Sequence, residues 1–132
     1  MAFAMDFDAR NNILRMTLDG IVTDAILLDS YWRAARYVAS HAPCRGIGDI
    51  SGATKFEVSV STVRKLALSP PAIPAGYTRV FVAPQDSVYG MVRMFQTLGE
   101  STRPDFHVVR TMDEAYRLLR VESPEFHPVS EE

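Results

Sequence analysis

The chain has 132 residues, 47% of them apolar and 23% charged, with a formal net charge of −2. That length supports one domain with its own core, and the near-balanced charge, without a basic run, excludes the electrostatic footprint of a nucleic-acid binder. The single cysteine, Cys44, excludes an intramolecular disulfide and a thiolate metal cluster.

No apolar run approaches the ~20 residues of a bilayer span. Met1–Asp6 lacks a basic leader followed by an apolar core, so a cytoplasmic location is expected. Phe3, Met5 and Phe7 alternate with small or polar residues as in a half-buried strand. Asp8-Ala-Arg-Asn-Asn12 supplies a turn, and Leu14, Met16 and Leu18 resume the alternation. An antiparallel hairpin results, continuing through Gly20 to Val22. Thr23 or Asp24 caps a long helix with an apolar stripe of Leu28, Tyr31, Trp32, Ala35, Val38, Ala39 and Ala42, closed by Pro43.

Gly46–Ile50 reads as a short buried strand, and Ser51–Glu57 as a loop. A helix starts after Ser59, carries Val60, Val63, Leu66 and Ala67, and stops before Pro70-Pro71. The segment 69–76 holds three prolines and a glycine and reads as an irregular connection. Tyr77–Ala83 is a strong strand. Asp86 or Ser87 caps a helix with Val88, Met91, Val92, Phe95 and Leu98 inward, ended by Gly99. Phe106–Arg110 is the last strand. The capping box Thr111-Met-Asp-Glu114 opens a final helix with Ala115, Leu118 and Leu119 inward. The order β-β-α-β-α-β-α-β-α predicts an α/β domain over residues 1–121, built on a mixed, mainly parallel sheet of five strands with about four helices. Residues 122–132 read as a loosely held tail.

This succession resembles the STAS domain of anti-sigma-factor antagonists over roughly residues 3 to 121. The local match is Gly48-Asp49-Ile50-Ser51-Gly52-Ala53-Thr54-Lys55-Phe56. It is similar to the family's strand ending in Asp-Leu-Ser-Gly-Val, followed by a short gap and a Phe. Phe106–Leu119 likewise resembles the family's last strand and helix. The nearer likeness is to the SpoIIAA-like branch, which is sometimes grouped with the lipid-carrying CRAL-TRIO fold. The resemblance implies a SpoIIAA-like fold and a small regulatory, protein-binding switch. In better-understood STAS members an anti-sigma kinase phosphorylates a Ser of an Asp-Ser-Ser-Gly motif where the second helix begins. Here Glu57-Val-Ser59-Val-Ser61 stands in that place; Asp49, Ser51 and Gly52 carry over, and Ser59 corresponds more loosely.

Ser59, Ser61 and Thr62 are the candidate modification or partner-binding residues, because a helix N-terminus favours added negative charge. The alternative is that Ser59 is an N-cap and the others face solvent. Asp49, at the carboxyl end of a parallel strand, is a candidate ligand group or acid. It could equally tie down its own loop through the N–H of Ser51 or Gly52.

Gly46-Ile-Gly48 with Gly52 superficially suggests a dinucleotide loop. The third glycine of that pattern would fall at Ser51, and the acidic residue ~20 positions on is missing. Cys44 is a nucleophile only if His41 or His107 lies beside it, and otherwise a small core residue. No histidine spacing suits a metal, and no cofactor is called for. Around the proline-rich connection Leu66, Leu68, Ile73, Tyr77, Met91, Met94 and Phe95 could line a cleft for a small apolar, lipid-like ligand, or simply pack the core or a subunit interface.

Three functions follow. The first is a non-enzymatic domain that binds another protein through Asp49–Ser61 and Pro84–Ser87, with the Met91/Met94 helix as the face of a possible homodimer. The second is a carrier or sensor of an apolar ligand. The third is a small enzyme built on Asp49 with Arg79 or Arg110.

Overall fold

Alternating apolar and polar residues build the strands β1 (Phe3–Asp8) and β2 (Ile13–Leu18) in the computed structural model, which describes residues 3–129. The two pair antiparallel, Phe3 opposite Leu18 and Asp8 opposite Ile13. Asn12 takes a φ of 56° in the turn, the left-handed conformation that Asn tolerates better than most residues. The other elements are β3 (Gly20–Thr23), α1 (Asp24–Ser40), β4 (Arg45–Asp49), β5 (Ala53–Glu57), α2 (Val60–Ala67), β6 (Arg79–Val82), α3 (Asp86–Leu98), β7 (Phe106–Val109), α4 (Met112–Leu119) and β8 (His127–Pro128).

The chain is a mixed α/β domain with a mainly parallel sheet in the order β7-β6-β4-β2-β1-β8. Strands β2, β4, β6 and β7 run parallel, and β1 is antiparallel to both its neighbours. The sheet therefore has six strands rather than five, beside a separate parallel pair of β3 and β5. The first hairpin does not run on to Val22. Gly20, at φ 70°, turns the chain out of the sheet, and its N–H bonds the Gly52 carbonyl at 3.0 Å. That contact starts the β3–β5 ladder, which occupies the stretch that reads as a loop. Gly52 is needed there, since a Cβ would lie 2.0 Å from Asp19 Oδ1.

Strand alternation divides the side chains between two layers. Leu14, Met16, Leu18, Arg79, Phe81 and Phe106 face α1, α2 and α3. Ile13, Ile47, Val80 and Val82 face α4, where Ala115 and Leu119 meet them. Helix α1 is capped by Thr23, whose hydroxyl accepts from Ile26 N–H at 3.3 Å. Its inward stripe is rotated from the expected one: Leu27, Ser30, Tyr31, Ala34 and Val38 point in, while Trp32 is 59% exposed. Helix α3 has Gln85 at its N-cap position without a side-chain cap, and Asp86 falls in its first turn.

Past α4 the chain returns along the outer edge of the sheet. The buried Asp8 carboxylate accepts from Asn11 N–H at 3.0 Å, Asn11 Nδ2 at 2.7 Å and Glu125 N–H at 3.0 Å. His127 pairs with Phe7, Val129 N–H bonds the Met5 carbonyl, and the Phe126 ring lies 4.0 Å under the Arg15 guanidinium. Arg15 is held in turn by Asp6, at 2.6 Å. Of the expected tail, residues 124–129 are thus tied to β1 and β2; 130–132 lie outside the described residues.

Burial alone would raise the Asp8 pKa, but the hydrogen bonds from Asn11 and Glu125 outweigh it and hold the carboxyl below its ordinary range. Its stabilising contribution is complete above the unfolded value near ~3.9 and is lost as pH falls through the lower folded value. Asp8→Ala should cost about 2 kcal/mol at pH 7 by leaving three donors unmatched. In urea denaturation the gap between variant and parent should then shrink below about pH 4.

Candidate functional site

Strand β4 carries glycine at both positions that face the three-helix layer, Gly46 and Gly48. Neither can take a side chain in place: a Cβ would lie 2.3 Å from Ile73 Cδ1 at Gly46 and 2.8 Å from the Phe81 ring at Gly48. A glycine within a strand commonly marks such a close approach. Above this bare strip lies a cavity of about 140 Å³, partly open to solvent. The sheet contributes Leu14, Met16, Leu18, Phe81 and Phe106 to its wall. Helices α1 to α3 contribute Leu27, Ala34, Val63, Leu66, Met91, Val92 and Phe95, and the proline-rich connection contributes Ala72 and Ile73.

Four polar side chains share this wall: Ser30, Tyr31, Arg79 and Arg103. The Ser30 hydroxyl donates to the Leu27 carbonyl at 2.7 Å, and the Tyr31 hydroxyl donates to the Pro70 carbonyl. Arg103 is 2% exposed, and its terminal nitrogens donate to the carbonyls of Leu66, Ala67 and Ser69 at 2.8–3.0 Å. These carbonyls lie at and just past the C-terminus of α2, where a cation also matches the helix dipole.

Arg79 differs. It is 8% exposed, and although both arginines bury an unpartnered Nε, only Arg79 also lacks any hydrogen-bond or ion-pair partner for its terminal nitrogens among the described residues. Its guanidinium carbon lies 5.7 Å from the centroid of the Phe106 ring. Burial first, and then the like charge of Arg103, push its pKa down to about 10, against the opposing influence of Asp105 and Tyr31. It remains cationic at neutral pH. Asp105 forms no ion pair with it, and one of its carboxylate oxygens accepts from Gly76 N–H at 2.8 Å.

The sequence-derived apolar candidates divide. Leu66, Ile73, Met91 and Phe95 line the cavity. Tyr77 packs outside it against the cluster of Met5, Leu14 and Val38, and Leu68 is 77% exposed. Met94 is half-buried on α3 without reaching the cavity.

The polar candidates lie elsewhere. Asp49 accepts from Ser51 N–H at 3.0 Å and from the Ser51 hydroxyl, the loop-tying role. Arg79 lies opposite Gly46 and Asp49 opposite Val82, three residues apart along the ladder or ~10 Å, with side chains on opposite faces. Arg110 is held by Asp86 at 2.6 Å and the Pro84 carbonyl at 3.0 Å, so the Asp49–arginine constellation is not assembled. Burial pushes the Cys44 thiol pKa up, which keeps it protonated.

Ser59 caps α2 by accepting from Thr62 N–H at 3.1 Å. Its own N–H donates to Asp24 Oδ1 at 2.8 Å and its hydroxyl to Asp24 Oδ2 at 3.1 Å. The bond from the Ser59 N–H, and then that from its hydroxyl, lower the Asp24 pKa. The anion that the helix start attracts is therefore supplied by the chain itself. Ser61 is exposed, and Thr62 is buried against the cap. From sequence Arg79 is a candidate only as an enzymatic partner of Asp49 and not as a cavity residue, and Arg103 is not a candidate; the hint was an arginine opening an otherwise apolar strand.

Ser59→Ala should cost ~1 kcal/mol by removing the cap. Ser59→Glu should cost more, because its carboxylate meets Asp24, and Asp24→Asn in the same chain should recover the difference in thermal denaturation at low salt. Arg103→Met should destabilise by about 3 kcal/mol in chemical denaturation, since three α2-end carbonyls lose a charged donor. Comparison of this chain with family models, with curated proteins and with solved structures finds no match.

Proposed function

We propose that this chain is a non-enzymatic binding domain, a carrier or sensor, whose ligand is a small apolar molecule held between the sheet and helices α1–α3. The observation that carries this reading is the cavity over Gly46 and Gly48, walled almost wholly by apolar side chains. An apolar cavity is expensive to keep. At the ~24 cal/mol per Å³ of a closed core void, 140 Å³ sets an upper bound of about 3 kcal/mol, which the opening to solvent lowers. A methyl on either glycine would push Ile73 or the Phe81 ring from its place in the wall, and Met91, which has three flexible torsions, suits a wall that adapts to an occupant. Cavities of ~150 Å³ lined by Leu, Ile and Phe take up benzene-sized molecules, which fixes the scale of the ligand.

A SpoIIAA-like regulatory domain, as the STAS resemblance implies, would on this reading respond to cavity occupancy rather than to a phosphoryl group. The engagement of Ser59 with Asp24 favours that choice, because phosphate there would lie against a carboxylate.

Toluene, as a neutral probe, should give saturable shifts in amide spectra at Ala34, Gly48, Val63 and Met91. Ala34→Leu should abolish them while raising stability by about 1 kcal/mol through filling the space. Wild-type spectra without saturable shifts at those positions would sink the reading.

A further inference from the structure

We infer that the natural occupant of this cavity is a small monocarboxylic acid, its carboxylate received by Arg79 and its ring or short chain by the apolar wall. This rests on the binding reading above and adds the ligand's charge and chemical class.

The inference begins with an imbalance between two buried guanidiniums. Arg103 has a structural use: its terminal nitrogens donate to the carbonyls of Leu66, Ala67 and Ser69, although its Nε, like that of Arg79, is buried without a partner. Arg79 has no such use. It occupies a strand position whose same-face neighbour is Phe81, where an apolar side chain would pack without cost. Instead a cation only 8% exposed has no carboxylate or carbonyl bonded to its guanidinium among the described residues, and Asp105 acts on it without forming an ion pair. A buried charge with no hydrogen-bonded partner is strongly unfavourable, and replacing it by a hydrocarbon of similar volume is ordinarily neutral or stabilising. The charge is therefore explained by what it can bind. A guanidinium presents a planar fork of N–H donors that matches a carboxylate in two parallel hydrogen bonds, strengthened where water is excluded.

The surroundings select a monoanion. The charge of Arg103 is committed to the helix end, and the Asp105 carboxylate is close enough to act on Arg79 while bonded to Gly76. A dianionic phosphate would face one available cation and that carboxylate together. The body of the ligand is bounded by the volume: 140 Å³ takes one aromatic ring or about six carbons.

The test is calorimetric titration of the full chain with phenylacetate, its neutral isostere phenylacetamide, and toluene, on wild type and on Arg79→Met. Wild type should prefer the acid over the amide by at least about tenfold. Arg79→Met should lose that preference, keep its affinity for the neutral probes, and unfold at a midpoint no lower than wild type. Equal affinity of wild type for acid and amide, or toluene binding without acid binding, overturns the anionic inference and leaves the apolar cavity standing. Failure of all three probes overturns both. A preference for the acid that survives in Arg79→Met overturns the role of Arg79. If that variant does not fold, the acid–amide comparison on wild type decides alone.

Discussion

Two missing side chains in the middle of the sheet shape everything above it. Strand β4 lies at the heart of the parallel strands, where a buried strand normally presents Val, Ile or Leu to both layers. Toward α4 it does so, with Ile47 among Ile13, Val80 and Val82. Toward α1–α3 it offers Gly46 and Gly48. The Phe81 ring and Ile73 lean over the bare backbone from two sides, close enough that neither glycine can be replaced without displacing them. The helices rest on the flanking rows, Leu14–Met16–Leu18 on one side and Phe81–Phe106 on the other, and so span the strip instead of settling into it.

The same geometry explains why the two faces of one sheet behave so differently. The α4 face is closed by direct contact of Ala115 and Leu119 with the strands, and its outer edge is pinned by Asp8, Arg15 and Phe126. Its charged groups at that edge are partnered, Arg15 by Asp6 and the buried Asp8 by Asn11 and Glu125. The α1–α3 face instead buries two arginines close enough to repel one another. Packing that walls a cavity also limits the water that reaches a charge on its wall, so the unpartnered Arg79 and the cavity are one physical problem.

Much of the scaffold was legible from residue pattern because its signals are local. Caps at Thr23, Ser59 and Thr111 accept the N–H bonds expected of them, and Asn12 adopts the left-handed turn. The departures come from long-range pairing. Thr54, Lys55 and Glu57 are exposed and polar, and only the presence of β3 alongside makes them a strand. β8 is a two-residue bridge containing a proline, which no propensity would nominate. The α1 stripe was misassigned because Ser30 is buried and Trp32 exposed, the reverse of their average preferences.

The site was half legible for a related reason. Apolar periodicity identifies inward residues without saying whether they touch one another, so Leu66, Met91 and Phe95 appeared as a cleft while Tyr77 and Leu68 were included with equal justification. Open parallel sheets usually place ligands beyond the carboxyl ends of their strands, which directed attention to Asp49 and Ser51. Here that edge is occupied by its own loop bonds, and the space lies under the helices, beside the first residue of β6. From sequence Arg79 is a candidate only as a partner of Asp49, and an arginine at a strand terminus does not by itself say what it lines. Only the register that sets Arg79 against Gly46, the one neighbour with no side chain to cover it, turns that terminus into the charged end of an apolar chamber.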